Sequence, residues 1–247
     1  MHTDKPGIVS LVPSLTELLF DFGLEDQLLG RTRFCIKPKE KASKIPIIGG
    51  TKNPNIERIR QLRPNLIIAN KEENRKEDIE KLESICEVYV SNIATIEDAL
   101  ITINELGNTL DVAKTASGII QKIMNLLDER PDEQPLQTAY FIWKNPWMTV
   151  GHDTYIHDVM QRWNLTNVFG YKSRYPEVTF EHVDYLEPEL ILLSSEPYPF
   201  KNKHIDLVKA QYDNARILLV DGRWFSWYGS GMIDCFRQLN TWRKAIS

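Results

Sequence analysis

Much that would mark a familiar chemistry is missing from this chain of 247 residues. It has three cysteines, Cys35, Cys86 and Cys235. They are far apart and form no Cys-x-x-Cys pair, which argues against a disulfide framework; free or buried thiols are expected. No run of about 18 apolar residues occurs, so no membrane span is expected. There is no Gly-x-Ser-x-Gly elbow, no Gly-x-x-x-x-Gly-Lys and no Gly-x-Gly-x-x-Gly, which removes the usual signs of an activated serine, a phosphate cradle and a dinucleotide site. Gly229-Ser-Gly reads as a flexible turn. Without an activated nucleophile the chain is not expected to be an enzyme. Apart from His2, the histidines (His152, His157, His182, His204) all lie in the second half. A metal centre drawing on both halves would lack half its ligands, and His152 and His157 are five apart rather than the four that stack on one helical turn, so no metal-ion site is expected. The formal net charge is −4 and no basic stretch stands out, so no nucleic-acid partner is expected. Nor does an apolar signal segment precede the first strand: either the protein is cytoplasmic or its export signal has been removed.

What is present is an internal repeat. Glu57-Arg-Ile-Arg-Gln-Leu-Arg-Pro-Asn-Leu-Ile-Ile returns 124 residues later as Glu181-His-Val-Asp-Tyr-Leu-Glu-Pro-Glu-Leu-Ile-Leu. Each copy reads as a helix end, a proline stop and a short buried strand. Each then runs into a polar loop with a glutamate in register, Glu72 and Glu196. Two equivalent βα lobes with their loops set face to face imply a cleft, because α/β folds place ligands past the strand tips.

The pattern around the repeat is β-α alternation. Gly7–Val12 reads as a buried parallel strand, Ser14 as an N-cap with Glu17 at capping-box spacing, and Leu28–Arg31, Leu66–Asn70 and Glu87–Val90 as further strands. From Thr95 to Leu127 apolar residues recur at three- and four-residue steps without a proline. This predicts a long amphipathic helix of about 45–50 Å, or two helices broken near Gly107. The second half repeats the alternation, with strands at Thr138–Trp143, at the second repeat and at Arg216–Val220. Asp153 is expected to cap the helix Thr154–Trp163. The expected fold class is α/β: two small lobes with parallel sheets joined by one long helix. The expected divisions are 1–94, a connecting helix over 95–130, and 131–247.

The tryptophans are uneven: Trp143, Trp147, Trp163, Trp224 and Trp227 lie in the second lobe, followed by Trp242. Trp143, Trp147, Tyr198, Trp224, Trp227 and Tyr228 all follow strand ends on one side of a parallel sheet, so they should converge at one rim. Such a rim offers large apolar faces with polar tips and suits a broad, flat, semi-polar ligand. Pro13, Ser14 and Phe34 are expected opposite them, and His152 beside them. Lys71-Glu-Glu-Asn74 is a charged loop.

In order and spacing, several pieces together carry a resemblance. They are the strand-Pro-Ser-x-Thr-Glu turn (Val12–Glu17), Ile48-Gly-Gly with Asn55-Ile-Glu-Arg-Ile, Leu62-x-Pro-Asn-Leu-Ile, Thr149-Val-Gly, Asn167-Val-Phe and Leu186-x-Pro-Glu-Leu-Ile. Over essentially its whole length the chain resembles the ABC-transporter substrate-binding proteins built on a rigid helical backbone, the class handling vitamin B12, iron–siderophore complexes and heme. The vitamin B12-binding branch is the nearest likeness. The resemblance implies a class III periplasmic-binding-protein fold and no resident cofactor. It implies a cobalamin-type corrinoid or another metal chelate as ligand, an ABC permease as partner, a monomer, and a periplasmic or cell-surface location. It also implies one carboxylate on each lobe docking the transporter, for which Glu72, Glu73 and Glu196 are the candidates. The alternatives are an iron–siderophore or heme receptor, or a cytoplasmic tetrapyrrole-handling enzyme or carrier.

Overall fold

In the computed structural model residues 6–246 are described. They divide into two compact units. The first comprises the chain up to Ile93, Glu97–Gln121 and Tyr228–Gly231; the second comprises Ala94–Ile96, Lys122–Trp227 and the chain from Met232.

The first unit runs β1 (Ile8–Ser10), α1 (Pro13–Asp21), β2 (Leu28–Arg31), α2 (Lys39–Ala42), α3 (Ile56–Leu62), β3 (Leu66–Asn70), α4 (Lys76–Glu83) and β4 (Glu87–Ser91). Its sheet is all parallel in the order β2-β1-β3-β4. The central strands β1 and β3 are buried at every position. This is why they read as unbroken apolar runs rather than alternating ones. Val9, Leu11, Ile48, Ile59, Ile67, Ala69 and Leu82 form a core cluster of this unit.

After β4 the chain forms α5 (Ile96–Thr109) and α6 (Ala113–Asp128). Of the two expectations for residues 95–130, one long helix or two broken near Gly107, the structure has the two helices. The break falls at Asp111, which lies four residues past Gly107 and takes φ 57°, while the Val112 N–H closes onto the Gly107 carbonyl at 2.8 Å. Gly107 lies within α5 and serves packing: a Cβ there would stand 2.3 Å from the Ala116 Cβ. Helix α6, about 24 Å long at 1.5 Å per residue, runs from the first unit's residues into the second's, and α5 has its first residue, Ile96, in the second unit.

The second unit runs β5 (Leu136–Phe141), α7 (Tyr155–Arg162), β6 (Leu165–Asn167), α8 (Phe180–Leu186), β7 (Leu190–Ser194), α9 (Asn202–Lys209), β8 (Arg216–Val220), α10 (Arg223–Ser226) and α11 (Met232–Ala245). Its sheet is again all parallel, in the order β6-β5-β7-β8. The sequence repeat is thus a repeat of topology. Helices α3 and α8 occupy matching positions, as do strands β3 and β7. Both helices end on a left-handed residue, Arg63 at φ 50° and Glu187 at φ 45°, directly before Pro64 and Pro188, which cannot continue a helix.

Two cap expectations are corrected. The N-cap of α1 is Val12, with Pro13 at the first helical position, so Ser14 lies inside the helix. The N-cap of α7 is Thr154, whose hydroxyl accepts from the His157 N–H, whereas Asp153 accepts the Arg174 N–H.

Candidate ligand-binding site

In each sheet the chain moves first to one side and then to the other, so the connections leaving the two central strands diverge at their carboxyl ends. That is the topological switch point where open α/β sheets hold ligands. In the first unit the flanking loops follow β1 (Leu11–Val12) and β3 (Lys71–Arg75). In the second they follow β5 (Ile142–Thr154) and β7 (Ser195–Lys201).

The loop after β3 is held by a buried polar network. Asn70, only 1% exposed, ends the apolar strand. Its Oδ1 accepts the Glu72 and Glu73 N–H groups, and its Nδ2 donates to Ser91. Asn74 accepts the Asn70 N–H at 2.8 Å and donates to the Thr51 carbonyl at 2.9 Å. These bonds tie the loop's backbone to the ends of β3 and β4 and to Thr51 and satisfy its buried polar groups. Ser194 holds the matching position at the end of β7. It donates to the Glu196 carbonyl and accepts from the fully buried Tyr140 hydroxyl at 3.1 Å, whose pKa burial pushes upward. Gly222 closes against this loop: a Cβ there would come 2.3 Å from Ser194 Oγ and 2.6 Å from Glu196 Cγ.

The three candidate docking glutamates are not equivalent. Glu73 accepts a hydrogen bond from the Tyr228 hydroxyl at 2.9 Å, within the first unit. Glu196 accepts from Ser226 Oγ at 2.9 Å. Glu72 is half-buried, and Lys52 reaches its backbone carbonyl at 2.6 Å.

The aromatic set separates into groups. Trp143, 38% exposed, stands edge-on to the half-buried Tyr198 with ring centres 5.5 Å apart, at the switch point of the second sheet. Trp147 is mostly committed to packing. It lies edge-on to Phe141 and Phe180 and stacks on buried Phe200 at 5.8 Å and 11°. Trp224 and Trp227 are half-buried, with Trp224 tilted against Trp242 at 6.1 Å. Tyr228 is 7% exposed and bonded to Glu73.

Of the residues expected opposite, Phe34 is 53% exposed and Pro13 half-buried. Ser14 is buried and its hydroxyl has no hydrogen-bond partner among the described residues. Exposed His152 has Nδ1 2.7 Å from the Lys172 carbonyl. The other histidines also serve local structure. His157 lies 3.2 Å from the Asn167 amide, and burial lowers its pKa. His182 and His204 back the starts of α8 and α9. Among the described residues no group of three or more His, Cys, Asp or Glu side chains gathers to hold a metal ion. None of Cys35, Cys86 and Cys235 is joined in a disulfide. Sequence reasoning took Asn74 only as part of a charged loop and passed over Asn70 and Ser91; for Asn70 the signal was there, a polar residue closing each of the two repeated apolar strands.

This fold, two parallel four-stranded sheets of matching order, is that of the two-lobed binding proteins. Residues 8–243 match the family model described as "Periplasmic binding protein", and the chain belongs to that family. It is 25% identical to the vitamin B12-binding protein of Vibrio cholerae serotype O1 over 96% of this chain and 88% of that one. Among solved structures, the periplasmic vitamin B12 binding protein BtuF of Vibrio cholerae superposes with a TM-score of 0.81 at 22% identity, covering 97% of each chain. The periplasmic heme-binding protein RhuT from Roseiflexus sp. RS-1 does so with 0.83 at 15% identity, covering 98% of each. No helix among the described residues is long and apolar enough to cross a membrane.

Proposed function

We propose that the protein is the substrate-binding component of an ABC importer, and that it captures a bulky metal chelate, first of all a cobalamin-type corrinoid. The observation that carries this reading is the Trp143–Tyr198 pair at the carboxyl ends of β5 and β7, where an exposed indole is braced edge-on by a tyrosine ring. A braced aromatic edge presents apolar area at low entropic cost and favours flat, conjugated ligands. The vitamin B12-binding relatives support the corrinoid as first choice. The metal arrives inside the ligand, so no resident cofactor is needed. The protein acts as a monomer outside the cytoplasmic membrane, without turnover, and hands its ligand to a permease.

Glu72 and Glu196 are the docking carboxylates of this proposal. Each follows its strand by two residues in a loop whose backbone is fixed from beneath. Glu73 is left out, because its bond to Tyr228 ties it to the interior of its own unit. Reversing charge with Glu72→Lys and Glu196→Lys is expected to leave ligand affinity in solution within about threefold, roughly 0.65 kcal/mol. The same change should weaken association with the reconstituted permease, most strongly at low salt, where charge steering is least screened. Loss of ligand affinity would move these glutamates into the binding site, and unchanged docking would remove them from the transporter interface.

A further inference from the structure

Charge is spread unevenly along this chain, which the whole-chain balance conceals. Residues 31–63 hold ten lysines and arginines against two acidic residues, Glu40 and Glu57, in a protein of net charge −4. Several of these cations have partners. Lys41 pairs with Glu25 at 2.7 Å and Arg60 lies 3.7 Å from Glu57. Buried Arg31 donates to the Ala42 and Thr32 carbonyls.

Arg33 and Arg58 differ. Both are exposed, and both line one hollow of about 340 Å³ in the first unit, with Ile47, Ile48, Gly49 and Asn55. Neither forms an ion pair with any described residue. Among the described residues the Arg33 guanidinium has only a 3.3 Å bond from Nη2 to Asn53 Oδ1 and the ring of its neighbour Phe34, 5.5 Å away. Asn55 spends its Oδ1 on the Arg58 N–H at 2.9 Å, which leaves its amide NH₂ as a further donor at the hollow. The polar side chains here are donors without a carboxylate among them. Two like charges held around one hollow repel each other. An oxyanion between them removes that repulsion and accepts the forked, charge-assisted bonds for which guanidinium is suited. Ile47, 43% exposed, supplies an apolar wall.

We propose that this hollow is an oxyanion-binding site, taking a phosphate or carboxylate group through Arg33 and Arg58. The site stands independently of the chelate reading: the oxyanion is either free in solution or carried on a larger ligand. Isothermal titration with inorganic pyrophosphate at low ionic strength tests the free form. Arg33→Ala and Arg58→Ala are each expected to weaken binding about tenfold or more, and Arg58→Lys less. The double variant Lys39→Ala/Lys44→Ala, which removes two exposed cations outside the hollow, should stay within about twofold; these fold-changes correspond to about 1.4 and 0.4 kcal/mol. Thermal melting should be unchanged throughout, since all four side chains are exposed. A second arm compares cyanocobalamin, which carries a phosphate, with cobinamide, which does not. If the oxyanion is carried, the arginine variants weaken binding of cyanocobalamin alone. Absent pyrophosphate binding together with no arginine-dependent difference between the corrinoids overturns the proposal. So does an equal loss from the Lys39/Lys44 variant, which would reduce the effect to general charge. If neither corrinoid binds, the chelate reading fails while the pyrophosphate arm still decides this one.

Discussion

Trp147→Ala is expected to cost stability rather than ligand affinity. The indole touches three phenylalanine rings, Phe141, Phe180 and Phe200, the last in a near-parallel stack. Removing it opens a void in the core cluster of the second unit, where Phe141 and Phe200 are both buried. Large aromatic truncations in packed cores cost about 3–5 kcal/mol, and the partial exposure of Trp147 places this one near 3 kcal/mol. For a chain of this size that lowers the melting temperature by roughly 6–12 °C. A calorimetric scan beside a ligand titration checks it. A melt close to wild type with a large loss of binding would return Trp147 to the ligand rim.

The opposite outcome is expected one strand end away. Trp143→Ala and Tyr198→Ala should each weaken chelate binding by about 1–3 kcal/mol, by analogy with base–aromatic stacking, while the melt changes little. The rings meet at 5.5 Å, so the double variant should fall short of the sum of the single losses: each ring orients the other, and neighbours in contact are not additive. Strict additivity would mean that the two rings act at separate places. Unchanged binding in the double variant would remove the rim from the account.

The contrast between Trp143 and Trp147 shows where sequence reading stops. Both follow β5 within a few residues and look alike on the page. What separates them is the position of Phe180 and Phe200, some 33 and 53 residues further along the chain, and no local pattern encodes that. Tyr228 is a similar case: it read as a rim aromatic, but its hydroxyl is bound to Glu73, 155 residues away. The strands were legible because buried parallel strands are continuous apolar runs closed by glycine, proline or a polar residue. β2, β3 and β8 fall at their expected bounds. β6 was missed because Leu165-Thr-Asn has no periodicity of its own and is made a strand by pairing with β5. The α5–α6 break lies near Gly107, as one of the two expectations had it, but glycine is not the residue that turns the chain. Asp111 adopts the left-handed turn, and Gly107 is needed for close contact with Ala116. The topology itself was readable from the repeat, since a helix, a left-handed stop, a proline and a strand form a unit that recurs only when the packing around it recurs.

The central claim is that the rim at the end of β5 and β7 binds a flat metal chelate, and visible absorbance tests it most directly. Pure protein is titrated with cobalamin, and in parallel with ferric siderophores and hemin, at matched pH and salt. The account predicts a saturable spectral change with cobalamin at one ligand per chain, with a Kd of about 1 µM or tighter, near −8.2 kcal/mol. The change should be weakened in the Trp143→Ala/Tyr198→Ala protein. No saturable change with any of the three ligand types, from protein shown to be folded by its melting transition, would contradict it.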